Sequence, residues 1–406
     1  MTLEYRNLDW KLIAAGLLLS IFGIIVIYAA QYDAATGTSL KFYLRQIIWL
    51  FLALCVFALL IHLPLRMIDF VSYLFYAGAL LLLVLVLLVG QSKYGAARWF
   101  SFGPINLTPS DIAKLALLIA LARYLGYSKL SPESSKRLFL SAAMTLVPVA
   151  LILRQPDLGT SLVFVALLFS LWFWSGLSPF YLILIVSPLV SLLLAFHWIP
   201  WTIYLVVLIT FILVLRPGFL FGFMIVVFNL MFGAVYPFFW DRLAEYQKLR
   251  ILTFLNPGLD ARGAGYQIIQ SKIALGSGGL TGKGFLGGSQ SQLKFLPERH
   301  TDFVFSVLGE EFGFIGTMFV VVLFGWIFYR GINIAARCRS RFASYLAWGA
   351  VTILFFQFFV NVGMTLGLMP VTGLPLPFLS YGGTSLVLSW ILIGFLVLAD
   401  YYWTEY

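Results

Sequence analysis

Charge is scarce in this chain. Only 10% of its 406 residues are Asp, Glu, Lys or Arg, against about 25% in an ordinary soluble domain, which excludes a water-soluble globule. Histidine is scarcer still, at positions 62, 197 and 300, with none of the close spacing that a metal-ligand set needs. Of the two cysteines, Cys55 lies in an apolar run and Cys338 in a basic loop, so no disulfide is expected. There is no Walker loop, hence no sign of direct ATP use. Internal duplication is not evident, which weakens a secondary-transporter reading, since many such folds show inverted halves. No polar stretch is long enough to fold as a separate soluble domain, and one membrane domain over 1–406 is expected.

What the chain has in excess is apolar surface: 62% hydrophobic residues and a mean hydropathy of +0.98. Apolar runs close to the ~20 residues that cross ~30 Å of hydrocarbon recur near Leu12–Ala30, Ile47–Leu63, Phe70–Gly90, Ile112–Gly126, Leu138–Leu153 and Leu158–Trp174. Others follow near Phe180–Phe196, Ile199–Leu215, Phe219–Trp240, Phe303–Tyr329, Leu346–Leu368 and Ser385–Trp403. The fold class is therefore an all-α polytopic membrane protein of about twelve helices. Arg6 and Lys11 lead straight into the first run, as in an uncleaved first span. Twelve Lys and Arg fall in the short loops on that side and five in those opposite. The positive-inside rule then predicts both termini in the cytoplasm.

That orientation puts a long polar segment, 241–302, outside. It holds 13 of the 42 charged residues, eight basic and five acidic, and ten glycines between Gly258 and Gly288. Its basic excess suits an anionic ligand, and Tyr266–Leu275 reads as a short amphipathic helix. The segment closes on Phe295-Leu-Pro-Glu-Arg-His-Thr-Asp-Phe-Val-Phe305, where ionisable groups crowd a membrane boundary at a desolvation cost. Asp302 there is either a general base, its pKa raised by partial desolvation, or a cap for the following helix. Glu298, Arg299 and His300 are either its neighbours in a site or a solvated charge run.

Other polar positions carry similar alternatives. Arg98 and Trp99 could hold a phosphate and a sugar face, or sit in an interfacial belt. Asp111 and Lys114 lie one helical turn apart and can pair within the membrane, or Lys114 faces a polar cavity. Arg154 and Asp157 flank Pro156 in a short connection that is either a salt-bridged turn or part of a site. Lys272, Lys283 and Lys294 alternate with glycines, which suits capture of phosphate oxygens or merely keeps a loop soluble. The Pro- and Gly-rich run 369–385 can sit at membrane depth only if it is buried in protein or lines a cavity.

Taken together these segments resemble the SEDS family (shape, elongation, division and sporulation), on its elongation side. The resemblance rests on Gly95-Ala-Ala-Arg-Trp99, Pro109-Ser-Asp-Ile-Ala-Lys114, Gln155-Pro-Asp-Leu-Gly-Thr-Ser161, Gly265-Tyr-Gln-Ile-Ile-Gln-Ser-Lys272 and Ala274-Leu-Gly-Ser-Gly-Gly-Leu280. It continues through Leu296-Pro-Glu-Arg-His-Thr-Asp-Phe303, Gly309-Glu-Glu-Phe-Gly313 and Leu379-Ser-Tyr-Gly-Gly-Thr384. Ala97 stands where the family usually has Arg, and Asp111 where it usually has Glu. The region from Ser175 to Tyr246 exceeds the family's ten-helix pattern, which we read as two extra spans.

The resemblance implies a peptidoglycan glycosyltransferase that polymerises lipid II outside the bacterial cytoplasmic membrane, with Asp302 as the essential carboxylate. It implies a substrate cleft drawing on Arg98, Trp99, Lys114, Arg154, Asp157, Lys272, Lys283, Glu298, Arg299, His300 and Ser380. It also implies a class B penicillin-binding protein and other elongation-complex membrane proteins as partners, with no nucleic acid. No cofactor is read from the sequence, and a divalent cation is left open. A lipid II flippase and a non-catalytic scaffold that activates the transpeptidase are the competing readings.

Overall fold

The computed structural model describes residues 8–33, 38–39, 41–93, 96–102, 105–195, 197–215, 218–242, 248, 264–292 and 295–403. Among these, long apolar runs became helices: α1 (Trp10–Gln31), α2 (Phe42–Ile61), α3 (Leu65–Val89), α4 (Pro109–Tyr127), α5 (Ser135–Leu153) and α6 (Leu158–Trp174). They continue with α7 (Pro179–Leu194), α8 (Trp198–Leu215), α9 (Phe219–Arg242), α12 (Val304–Arg337), α13 (Arg341–Thr365) and α14 (Gly383–Tyr401). Two shorter helices, α10 (Ala264–Ser277) and α11 (Ser289–Gln292), lie in the long polar segment. The amphipathic stretch at 266–275 is thus helical. Most of 243–263, and Lys294, lie outside the described residues.

Seven of these helices are long and apolar enough to cross a membrane by length and composition: α1, α2, α3, α5, α12, α13 and α14. Their outward faces confirm the solvent they are built for. Phe70, Leu74 and Leu88 on α3 are 75–80% exposed, an apolar surface that would aggregate in water. At the other extreme α14, packed against α2, α4 and α13, buries Trp390 completely. Its indole N–H donates to Ser20 Oγ at 3.2 Å, while Phe57 meets the ring edge-on at 5.4 Å.

Two compact units are distinguished: Met1–Ser175 with Thr253–Tyr406, and Gly176–Leu252. The second takes in most of the region read from the sequence as two extra spans, and among the described residues α7, α8 and α9 stand there. Leu184, Leu208 and Ile225 form its apolar core. Asn229, fully buried, donates to Ser187 Oγ and the Ile225 carbonyl, both at 2.8 Å. Tyr204 donates to the Ser187 carbonyl and Ser191 to that of Asn229. Satisfied polar pairs of this kind hold helices together where lipid removes the hydrophobic driving force.

The sequence reading anticipated no strands. Yet β3 (Gln91–Lys93), β4 (Ala96–Phe102) and β5 (Ile105–Leu107) form an antiparallel meander before α4, and β1 (Tyr32–Asp33) pairs with β2 (Thr38–Ser39) between α1 and α2. Helix α12 is broken at Gly313 (φ 65°, ψ −161°). The backbone groups freed there are taken up by the glycine-rich turn: Phe314 and Ile315 N–H donate to the Gly279 and Leu280 carbonyls, while Lys283 and Gly284 N–H donate to those of Glu310 and Glu311. A break within an apolar helix is tolerated only when its polar groups are satisfied in this way.

Candidate active site

The turn before α12 is organised by Glu298, whose φ of +47° places it in the left-handed region. Its carbonyl accepts from the N–H groups of Thr301, Asp302 and Phe303 at 3.2, 3.1 and 3.3 Å. Such a conformation costs a non-glycine residue free energy, and it survives where surrounding bonds over-determine it. Arg299 turns inward, nearly buried, and donates to the Ser291 carbonyl of α11. His300 is half-buried, its ring 4.9 Å from that of Phe42 and 5.7 Å from that of Tyr381. Burial lowers its pKa below the usual 6.5; Glu298 opposes that shift and Arg299 adds to it. Asp302, half-buried, comes one residue before Phe303, the cap position of α12.

The Pro-rich segment between α13 and α14, together with α13 itself, grips this turn through three consecutive carbonyls. Tyr381 N–H donates to His300 O at 2.8 Å, Ser380 Oγ to Thr301 O at 2.5 Å, and Asn361 Nδ2 to Asp302 O at 3.0 Å. Asn361, fully buried on α13, also donates to the Leu374 carbonyl at 2.8 Å. From α2, Gln46 donates to Ser380 O and accepts from Gly382 N–H. Gly373 (φ +74°) faces the carboxylate: a side chain there would begin 3.6 Å from Asp302 Oδ2. Leu374 and residues 376–380 are buried in protein, while the exposed Gly373 stands beside Asp302, so the segment divides between the two settings that such backbone tolerates.

The remaining expected site residues divide by what they touch. Lys114, 2% exposed, is paired with Asp111 at 2.8 Å. The second Asp111 oxygen accepts from Thr384 Oγ1 at 2.8 Å, joining the starts of α4 and α14. Lys283 is paired at 2.8 Å with Glu310, a fully buried carboxylate that also accepts from the Gln290 and Ser291 N–H groups. Asp157 caps α6, accepting from Thr160 N–H and Oγ1. Arg154 is exposed at the end of α5, and Lys272 is exposed on α10, where it lies across Gly367. Trp99 is half-buried in β4, in register with Gln91; Arg98 shares the strand, and its side chain lies outside the described residues.

Glu298, Arg299, His300 and Ser380 are thus gathered with Asp302 into one turn and its support, whereas Asp157, Lys114 and Lys283 make bonds within the protein. Sequence reasoning missed Asn361, Gln46, Gly373 and Glu310. Asn361 did leave a signal, since it and Gln357 are amides one turn apart in an otherwise apolar stretch of helix, where polar groups are costly.

The family model described as Cell cycle protein (FtsW, RodA, SpoVE) matches residues 9–202 and 200–405. The chain belongs to this family. The peptidoglycan glycosyltransferase MrdB of Escherichia coli K12 is 36% identical over 381 residues, covering 93% of this chain and 90% of MrdB. The peptidoglycan glycosyltransferase RodA of Treponema pallidum is also 36% identical, with 96% and 97% covered. Among solved structures, the fold matches a chain from a peptidoglycan synthase complex that coordinates polymerization and crosslinking (TM-score 0.73, 33% identity, 98% and 99% covered). It likewise matches the rod shape determining protein RodA of Thermus thermophilus (TM-score 0.65, 28% identity, both chains covered in full). The Pro-Glu-Arg-His-Thr-Asp string of this chain is the turn that the Pro-rich segment and Asn361 hold.

Proposed function

We propose that this peptidoglycan glycosyltransferase polymerises lipid II into β-1,4-linked glycan strands at the outer face of the cytoplasmic membrane during elongation. Asp302 acts as the general base. The class of enzyme follows from the family and from relatives that carry that name over nearly their whole length. The observation that carries the assignment of Asp302 is its placement: a half-buried carboxylate beside a glycine, with the carbonyls of residues 300 and 301 held from the Pro-rich segment and that of residue 302 from Asn361 on α13.

The chemistry asks for little more. Joining two sugars requires a base for the acceptor 4-hydroxyl, aligned with the anomeric carbon of the donor. A diphosphate is a competent leaving group and needs cations more than a general acid. An α-linked donor giving a β-linked product implies one displacement with inversion, so one carboxylate suffices where glycoside hydrolases use two. The exposed Arg154 and Lys272 suit the diphosphate. Among the described residues no three His, Cys, Asp or Glu side chains converge.

Crosslinking has to come from a separate transpeptidase, and a class B penicillin-binding protein is the proposed partner, supported by the match to a synthase complex. Both termini are proposed to be cytoplasmic, from the loop charges. Purified protein given lipid II should make polymer that a muramidase cuts to disaccharide units. Movement of lipid II between leaflets without polymer would favour the flippase reading, and activity only on adding the transpeptidase would favour the scaffold.

A further inference from the structure

At the end of the helical unit away from Asp302, two adjoining cavities of about 420 and 500 Å³ share Asp69, Arg123 and Tyr127. Helix α4 runs from Asp111 near the Asp302 end to Arg123, about 18 Å at 1.5 Å per residue. Helix α13 runs back from Phe342 to Asn361 over about 28 Å. The cavities therefore open at the opposite face of the membrane from the catalytic turn, whichever side that turn occupies.

Their chemistry is specific. Arg123 is fixed between them: it donates to the Phe70 carbonyl at 2.9 Å and to Ser72 Oγ at 3.3 Å, lies over the Tyr73 ring at 5.1 Å, and pairs with Asp69. Asp69 in turn accepts from the Tyr127 hydroxyl at 2.7 Å. The side chain of Arg66 lines the first cavity beside Ser340, with Arg341 next in sequence. Tyr124 lines the second, its hydroxyl buried and without a hydrogen-bond partner among the described residues. Two arginines, Arg66 and Arg123, thus line the cavities beside one aspartate, Asp69. Phe70, 80% exposed, forms the membrane-facing lip, and Leu74, 77% exposed, continues that track one turn deeper.

We propose that this pair of cavities binds the phosphate headgroup of an anionic phospholipid from the leaflet opposite the catalytic cleft, the cytoplasmic one under the proposed topology. A basic pocket between helices at an interface is the setting in which such headgroups are held. The Tyr124 hydroxyl supplies a hydrogen-bond donor and the arginines the counter-charge, while Phe70 and Leu74 receive the acyl chains. A free phosphate would use the same cations and make no use of that apolar track. The proposal is independent of what Asp302 does.

The test is native mass spectrometry of the full chain released from detergent, titrated with cardiolipin, phosphatidylglycerol and phosphatidylcholine of matched acyl chains. The wild type should bind the two anionic lipids about tenfold more tightly than phosphatidylcholine. Arg66→Gln and Tyr124→Phe should each lose most of that preference, whereas Lys136→Gln, an exposed cation outside the cavities, should keep it. Thermal unfolding of each variant identifies a misfolded one, in which case the other carries the test. Equal lipid preference in wild type, Arg66→Gln and Tyr124→Phe overturns the site. So does displacement of the lipid by millimolar inorganic phosphate, which would mark a soluble ligand. Asp302→Asn should bind these lipids as the wild type does, so failure of the catalytic reading leaves this result intact.

Discussion

The side-chain amide of Asn361 donates to the backbone carbonyl of Asp302 at 3.0 Å and to that of Leu374 at 2.8 Å. One buried NH₂ group thereby fixes the distance between the carboxylate-bearing turn and the segment that faces it. Asn361→Leu leaves two buried carbonyls without their donor, at about 1–3 kcal/mol of stability. Because the bond holds the turn without touching the carboxylate, turnover should fall at least about tenfold while lipid II affinity holds. Steady-state polymerisation beside a binding titration reads the two separately. Affinity falling in step with turnover would mean that Asn361 holds the substrate pocket instead.

Gly313 carries the second structural commitment. With φ at +65° and the backbone of Leu280 and Gly282 against the place a Cβ would occupy, Gly313→Ala meets both strain and collision. The expected loss exceeds about 3 kcal/mol, read as a large drop in melting temperature in detergent. A variant as stable as the wild type would mean that the break in α12 is not the native arrangement.

His300 gives a pH dependence of known sign. Its folded pKa lies below the usual 6.5, so the unfolded chain takes up a proton before the folded one does. Stability present above pH 6.5 is therefore lost as pH falls through the window beneath that value. His300→Gln should flatten this part of the melting-temperature profile. An unchanged slope would assign it to other groups.

The cations should separate by their partners. Arg154→Ala and Lys272→Ala, at exposed positions, should weaken lipid II binding by about 1–3 kcal/mol with little change in stability. Lys283→Met strips the buried Glu310 of its counter-ion, and Lys114→Met does the same to Asp111, so both should lower stability first. Paired affinity and melting measurements decide. The reverse pattern would place the diphosphate on Lys114 and Lys283.

Much of this was legible in the residues, for identifiable reasons. Apolar runs of membrane length have few alternatives to helix, so the helices fell where hydropathy put them. The turn at 298–302 was legible because charge crowded at a membrane boundary is costly, whereas the Asp157 cap of α6 was not, since the connection at Pro156 reads equally as a salt-bridged turn or part of a site. Pairing over long sequence separation was not legible: nothing local ties Lys283 to Glu310 or Asn361 to residue 302. The strands at 91–107 were hidden because a short, aromatic, glycine-bearing stretch reads equally well as loop.

The central claim is that Asp302 is the base, and Asp302→Asn tests it most directly. Asparagine preserves shape and caps a helix as well as aspartate, and the Asn361 bond to the residue 302 carbonyl does not involve the side chain, so the change removes the carboxylate's charge and its proton acceptance while that bond stays. Glycan polymer formed from lipid II by purified wild type and variant, each checked for lipid II binding and melting temperature, is the measurement. The account predicts a variant that folds, binds lipid II and makes no polymer; polymer at near wild-type rate would contradict it.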